Sequence, residues 1–213
     1  MDSSLQRIYE THHAARRGAG FVLQGDTRGP FLKGAIGTGK RVLDIGCRDG
    51  ALTRYFSEGN EVIGLDIDAH ALARAHTELG IETKQIDLNG EWGIPDSSFD
   101  AVTASEILEH LYYPSIVLNK VSRALVPGGV FAGTVPNAFS LANRSRYLLK
   151  RKRGTPLEDP THINHFTVAE LRHLLAERFE DVEVRGYGRL GWLARAFPQA
   201  FAFGLLFRAT KMQ

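Results

Sequence analysis

Residues 41–50 read RVLDIGCRDG, and the fold turns on what this stretch is. RVLDI (41–45) is a short apolar run that stops at Gly46, the pattern of a buried strand entering a tight loop. Glycines at 46 and 50 let the backbone approach a ligand closely, and a helix after such a loop directs amide N–H groups at an anion. A strand-to-helix turn that simply needs glycines accounts for the same letters. A dinucleotide fingerprint does not, because it requires G-x-G-x-x-G and Arg48 stands in the loop instead. That spacing argues against an NAD(P)-dependent oxidoreductase.

Outward from this stretch the chain alternates. EVIGLDI (61–67), IETKQI (81–86), FDAVTAS (99–105) and VFAGTV (130–135) read as four further strands. Between them, ALTRYFSEG reads as a short helix, and Asp68 caps AHALARAHTEL, which Gly80 stops. Pro114 suits the first turn of a helix running to about Leu125, with Val117, Val121 and Leu125 on one face and PGG breaking it. Upstream, residues 5–36 suggest one or two helices broken around GDTRGP. Downstream, Thr167 and Glu170 form a capping box ahead of a helix carrying Leu171, Leu174 and Leu175; DVEVRGY (181–187) and FAFGLLFRAT (201–210) read as two final strands. Alternation of this kind implies a parallel sheet covered on both faces, with its ligand beyond the carboxyl ends of the strands near the topological switch point.

The whole chain sets further bounds. Its 213 residues suit one domain with a sizeable core. A formal net charge of +2 implies no strongly charged partner. The single cysteine, Cys47, excludes an internal disulfide framework and suits a reducing compartment. The N-terminus lacks an apolar run of signal-peptide length, and AFPQAFAFGLLF (196–207) falls short of the roughly 20 residues a membrane span needs. The expectation is a soluble, cytoplasmic, single-domain protein without a transmembrane segment; its oligomeric state leaves no trace in the sequence.

The loop VLDIGCRDG resembles motif I of the class I S-adenosylmethionine-dependent methyltransferases, and four later stretches extend the resemblance in order: GLDID, QIDLNG, FDAVTASEILEHL and LVPGGVFAGTVPN. Together they cover roughly residues 38–187. The resemblance implies a Rossmann-like three-layer α/β sandwich with a seven-stranded, mostly parallel sheet and an antiparallel last strand. It implies S-adenosylmethionine as cofactor. Asp44 and the loop Gly46, Cys47, Arg48 and Gly50 would hold the methionine part, Asp66 with Ile67 the ribose, and Asp87 with Leu88 the adenine, with Ser105 also lining the site. A carboxylate suits the ribose because it accepts two hydrogen bonds at once. The departure is Arg48, where the family has a glycine; its guanidinium either grips the methionine carboxylate or points to solvent.

SEILEHL (105–111) carries the candidate chemistry. On a helical turn, Glu106, Glu109 and His110 share one polar face. Three readings fit: a solvated face, a general base at His110 oriented by a carboxylate such as Glu106, or part of a metal site. The third draws on His162 and His165 in DPTHINHFTVAEL and resembles the small-RNA 3′-terminal 2′-O-methyltransferases, in which such residues hold magnesium; His165 is the better positional match. The ubiquinone-pathway O-methyltransferases share the E-x-x-E-H part. A structural role in bonding backbone groups fits both histidines as well.

Residues 138–160 form an insertion of the kind that covers the acceptor in this superfamily, as residues 1–36 form an N-terminal helical cap. The insertion holds Arg144, Arg146, Lys150, Arg151, Lys152 and Arg153 among Phe139, Leu141, Tyr147, Leu148 and Leu149. A solvated basic face, contacts to acceptor phosphates, an acidic membrane surface and single-stranded nucleic acid are its possible readings. The leading expectation is methyl transfer to oxygen on a small molecule, sugar or glycolipid intermediate. The rivals are an RNA 2′-O-methyltransferase and a non-catalytic cofactor-binding module that regulates a partner.

Overall fold

The computed structural model describes Arg7, Thr11 and residues 20–213. The strands are β1 Arg41–Ile45, β2 Glu61–Asp66, β3 Glu82–Gln85, β4 Phe99–Ser105, β5 Leu125–Pro136, β6 Phe179–Tyr187 and β7 Gly204–Lys211. The helices are α1 Gly25–Ile36, α2 Ala69–Leu79, α3 Pro114–Ala124, α4 Leu141–Leu148, α5 Val168–Ala176, α6 Gly191–Ala196 and α7 Pro198–Phe201. One sheet runs β3-β2-β1-β4-β5-β7-β6, with β7 antiparallel to both neighbours and every other pairing parallel. The order reverses between β1 and β4, which opens a crevice at their carboxyl ends.

Side-chain alternation in the strands divides the core into two layers. Val42, Val62, Ala101 and Ala132 meet Leu32 and Ile36 of α1 and Ala75 of α2 on one face. Leu43, Ile45, Leu65, Val102 and Phe131 meet Val117, Leu118 and Val121 of α3 and Leu171 and Leu175 of α5 on the other. The result is the three-layer, mostly parallel architecture that the alternation of elements implies. Asp68 caps α2 by accepting from the Ala71 amide at 2.9 Å, and Thr167 and Glu170 close the capping box of α5.

Four local expectations change. The irregular backbone falls at 20–24, just before GDTRGP and not within it: Gly25, Gly29 and Pro30 all lie inside α1. The reason is tertiary, since a Cβ on Gly29 would lie 2.3 Å from the Tyr55 ring, so the glycine makes room for packing. The expected helix over 51–59 is a single 3₁₀ turn, Thr53–Tyr55. PGG (127–129) bulges within β5 instead of preceding it, so the strand begins at Leu125. The 201–210 strand begins only at Gly204, because Pro198–Phe201 is helical. Of the helical cap expected over 1–36, the part before residue 20 lies largely outside the described residues.

Candidate functional site

The crevice holds a groove whose floor is the loop after β1. Gly46 takes φ 75°, and a Cβ there would fall 1.9 Å from Ile107 Cδ1, so both its conformation and its neighbour demand glycine. Gly50 serves packing: it lies outside the groove lining, and a Cβ would meet Leu79 at 2.5 Å. Gly64 of β2 leaves room for the buried Cys47 side chain, whose Sγ lies 2.6 Å from where a Cβ would be. Burial raises the Cys47 thiol well above its usual range, with the Asp44 and Asp66 charges adding to the effect, so it stays a neutral thiol.

Parallel register sets Asp44 beside Gly64 and Thr103. Its carboxylate accepts from Thr103 Oγ1 at 2.6 Å and Thr53 Oγ1 at 2.7 Å. Burial pushes its pKa up to about 6; the two hydroxyls restrain the rise and the nearby Asp66 charge assists it. Asp66 ends β2, buried, with Oδ2 accepting from the Arg48 amide and Oδ1 from the Asp68 amide, both at 2.9 Å. A carboxylate at this strand end is the group a ribose diol requires, since it can accept two hydrogen bonds at once. Asp87 is exposed after β3, and its Oδ1 accepts from the Asn89 amide at 2.9 Å in an Asx turn. Ile67, Leu88 and Ser105 also line the groove, and the buried Ser105 Oγ has no protein partner among the described residues.

Arg48 does not point to solvent; it lines the groove. Its guanidinium binds Asp49 with two bonds, Nε–Oδ1 at 3.1 Å and Nη2–Oδ2 at 2.8 Å. Asp49 also accepts from the Gly20 amide at 2.8 Å, and Arg48 Nη2 donates to the Phe21 carbonyl at 3.5 Å. Burial alone would raise Asp49, but Arg48 and the Gly20 amide outweigh it and hold the carboxyl below its usual range. The pair thus ties residues 20–21 across the loop. Asp49 was missed by sequence reasoning, as was Arg28 of α1. Arg28 is a buried cation lining the groove; Nη1 donates to the Leu23 carbonyl at 3.2 Å, while its buried Nε has no protein partner among the described residues. Nothing in a lone arginine of GDTRGP signals burial.

At the other end, SEILEHL is not the helical turn its spacing suggests. Glu106 adopts φ 58°, and only Leu108–His110 form a 3₁₀ turn. The carboxylates consequently separate: Glu106 lines the groove with Oε1 accepting from Thr134 Oγ1 at 2.9 Å, while Glu109 is fully buried. His110 lines the groove, and its Nδ1 lies 3.0 Å from the Thr161 carbonyl. A carbonyl only accepts, so Nδ1 carries a proton in this contact. The segment Thr161–Asn164 is laced to this turn. The Ile163 and Asn164 amides donate to the Glu109 carbonyl at 2.9 Å each, and Asn164 Nδ2 donates to the Leu111 carbonyl.

The histidine beside His110 is His162, ring centroids 4.7 Å apart, with Nδ1 at 3.0 Å from the Pro156 carbonyl. His165, the expected distal partner, stands 6.4 Å from the His162 ring and outside the groove lining. Burial lowers its pKa, with the His162 charge assisting. Glu109, His110 and His162 each offer a ligand atom within 4.8 Å of the others. Glu106 is not of that group. Two imidazoles and one carboxylate suit a first-row transition ion better than the oxygen-seeking magnesium suggested by the sequence resemblance.

A seven-stranded sheet of this order with acidic side chains at successive strand ends defines the Rossmann-like methyltransferase class. The chain belongs to the methyltransferase-domain family, whose model matches residues 24–183. It is 38% identical over 114 residues to the ubiquinone biosynthesis O-methyltransferase of Nitrosococcus oceani, covering 49% of this chain and 48% of that protein. The chain spans about half the length of such curated relatives. A S-adenosylmethionine-dependent methyltransferase structure from Methanosarcina mazei matches with a TM-score of 0.64 at 25% identity, covering 86% of this chain and 97% of that one. One from Archaeoglobus fulgidus matches with a TM-score of 0.70 at 20% identity, over 95% and 99%.

Proposed function

We propose that the protein transfers the methyl group of S-adenosylmethionine to a hydroxyl oxygen of a small-molecule acceptor, with His110 as general base. The single observation that carries this reading is the 3.0 Å contact of His110 Nδ1 with the Thr161 carbonyl, on a histidine that faces the groove. With the proton on Nδ1, Nε2 is the basic nitrogen of the neutral ring. The residues also fit the cofactor. Gly46 supplies the left-handed turn of the groove floor, Asp66 presents a carboxylate where two ribose hydroxyls would bond, and the buried Arg28 Nε suits a carboxylate.

The cofactor supplies an electrophilic methyl carbon on a sulfonium. The chain's part is alignment and proton removal. The acceptor O–H proton would pass to His110 Nε2, while the bound cofactor would supply the methyl carbon and its sulfonium would take up the leaving electron pair. Glu106, fixed by Thr134, orients the acceptor from the same wall. A hydroxylated ring is the favoured acceptor class, because relatives at 35–38% identity are named ubiquinone biosynthesis O-methyltransferases. A sugar or glycolipid hydroxyl is the next class.

The test is transfer of labelled methyl from S-adenosylmethionine to separate panels of phenols, saccharides, lipids and RNA. Label in a hydroxylated small molecule or lipid, abolished in His110→Ala with cofactor binding intact, is the expected result. Label in RNA, or full activity in His110→Ala, would overturn it. The cluster of Glu109, His110 and His162 favours a second reading, a transition ion bound by these three residues. Elemental analysis of the purified protein and activity in excess chelator decide between the two, since a metal-bound His110 cannot also take the proton.

A further inference from the structure

The insertion leaves apolar side chains in water that the fold does not use. Helix α4 has no buried residue. Leu148 is 85% exposed and Leu149 66% exposed. Residues 141–154 carry six basic side chains and no acidic one. The first acidic residue after them, Glu158, engages its carboxylate locally, accepting from the Gly154 amide at 2.6 Å. A second such patch lies on residues 189–197, where Trp192 is 72% exposed and Leu190 and Phe197 are also exposed, flanked by exposed Arg189 and Arg195.

The topology brings these patches together. Helix α4 follows the carboxyl end of β5, and α6 follows the carboxyl end of β6. Pro136 and Tyr187 both pair with Gly204 of β7, so both helices leave the same edge of the sheet. Helix α7 packs against both. Asn137 fastens the arrangement: its Nδ2 donates to the Pro198 and Ala202 carbonyls at 3.0 Å, and its own carbonyl accepts from Asn143 Nδ2 at 2.9 Å. That edge is also the one into which the groove opens, beyond β1, β2 and β4.

We infer that this basic, leucine- and tryptophan-bearing edge docks the protein onto an anionic phospholipid bilayer. Leucines at the tip with arginines and lysines around them fit a surface that is apolar below and negative above, and tryptophan favours the interface between the two. A nucleic acid satisfies the charges but leaves Leu148 and Leu149 with no apolar partner, since single strands are held through base stacking on aromatic rings. Docked this way, the groove faces the lipid, which suits an acceptor with an apolar tail. The inference concerns docking and holds whether or not the acceptor oxygen in the proposed function is correct.

Sedimentation of the full chain with vesicles tests it at about 0.1 M salt, a Debye length of about 10 Å. Binding is expected to vesicles of phosphatidylglycerol with phosphatidylcholine, and not to phosphatidylcholine alone. Leu148→Glu combined with Trp192→Glu should reduce binding at least tenfold, with S-adenosylmethionine affinity unchanged as evidence of intact folding. Replacing Lys150, Arg151, Lys152 and Arg153 by Gln should weaken it by about fivefold per charge. Equal binding by the double variant, no binding to anionic vesicles, or binding to a single-stranded RNA in their place would overturn the inference.

Discussion

At the cofactor end of the groove, Asp66 takes its backbone amides from Arg48 and Asp68; at the acceptor end, His110 takes its carbonyl from Thr161, far along the chain. The first end is built around β1, β2 and the turn between them, with Arg28 of α1, Ser105 of β4 and residues 87–88 after β3 completing it. The second needs a turn after β4, a threonine from β5 and a segment that follows the insertion. On the proposed assignment, the nucleoside site is held by the sheet itself and the acceptor site by loops laced to one another. The first tolerates little change, while the second can be rebuilt by altering the segment between Pro136 and Thr161.

Each variant below bears on that contrast. The largest effect is expected in His110→Ala, which should lower kcat by about 10²–10⁴-fold, the usual worth of a positioned base, and leave the cofactor dissociation constant unchanged. Single-turnover rates and calorimetry separate the two; a matching loss of cofactor affinity would mean that the two ends are not independent. Asp66→Ala should act oppositely. It removes the acceptor of two buried amides and of the proposed ribose contacts, each worth about 1.5–3 kcal/mol, so cofactor affinity should fall by about 10²-fold or more.

Asp44→Asn is next and reads through pH. The folded pKa of about 6 lies above the ordinary 3.8, so the stabilising protonated form is fully present below about pH 4 and lost as pH rises through 6. The variant lacks that loss. Its stability relative to the parent should rise between pH 4 and pH 7 by up to about 3 kcal/mol, measured by urea unfolding at each pH. A parallel pair of pH profiles would show that Asp44 does not titrate there. Arg48→Gly should have the smallest effect. It relieves the left-handed backbone at φ 51°, worth about 1 kcal/mol, but removes the double bond to Asp49. A net destabilisation of about 1 kcal/mol and faster proteolysis at residues 20–24 are expected. No change in proteolysis would mean that the pair does not hold that segment.

The same contrast governs what the sequence discloses. Asp44, Gly46, Asp66 and the strands that carry them are legible because apolar runs, glycines and acidic strand ends are local patterns. SEILEHL misleads because a helical wheel assumes a helix, and Glu106 instead turns the chain left-handed to hand its amide to the Thr134 carbonyl. His162 is chosen over His165 by the lacing of Ile163 and Asn164 to Glu109, which no spacing encodes. Arg28 and Asp49 are hidden for the same reason: one is buried by tertiary packing, and the other acquires its role only from Arg48 and Gly20.

Ile107 joins the two ends. Its terminal methyl occupies the space a side chain at position 46 would need, and it stands three residues before His110. Any displacement of the glycine loop must therefore push on the turn that carries His110. On the proposed assignment, filling one compartment is felt in the other as a steric signal.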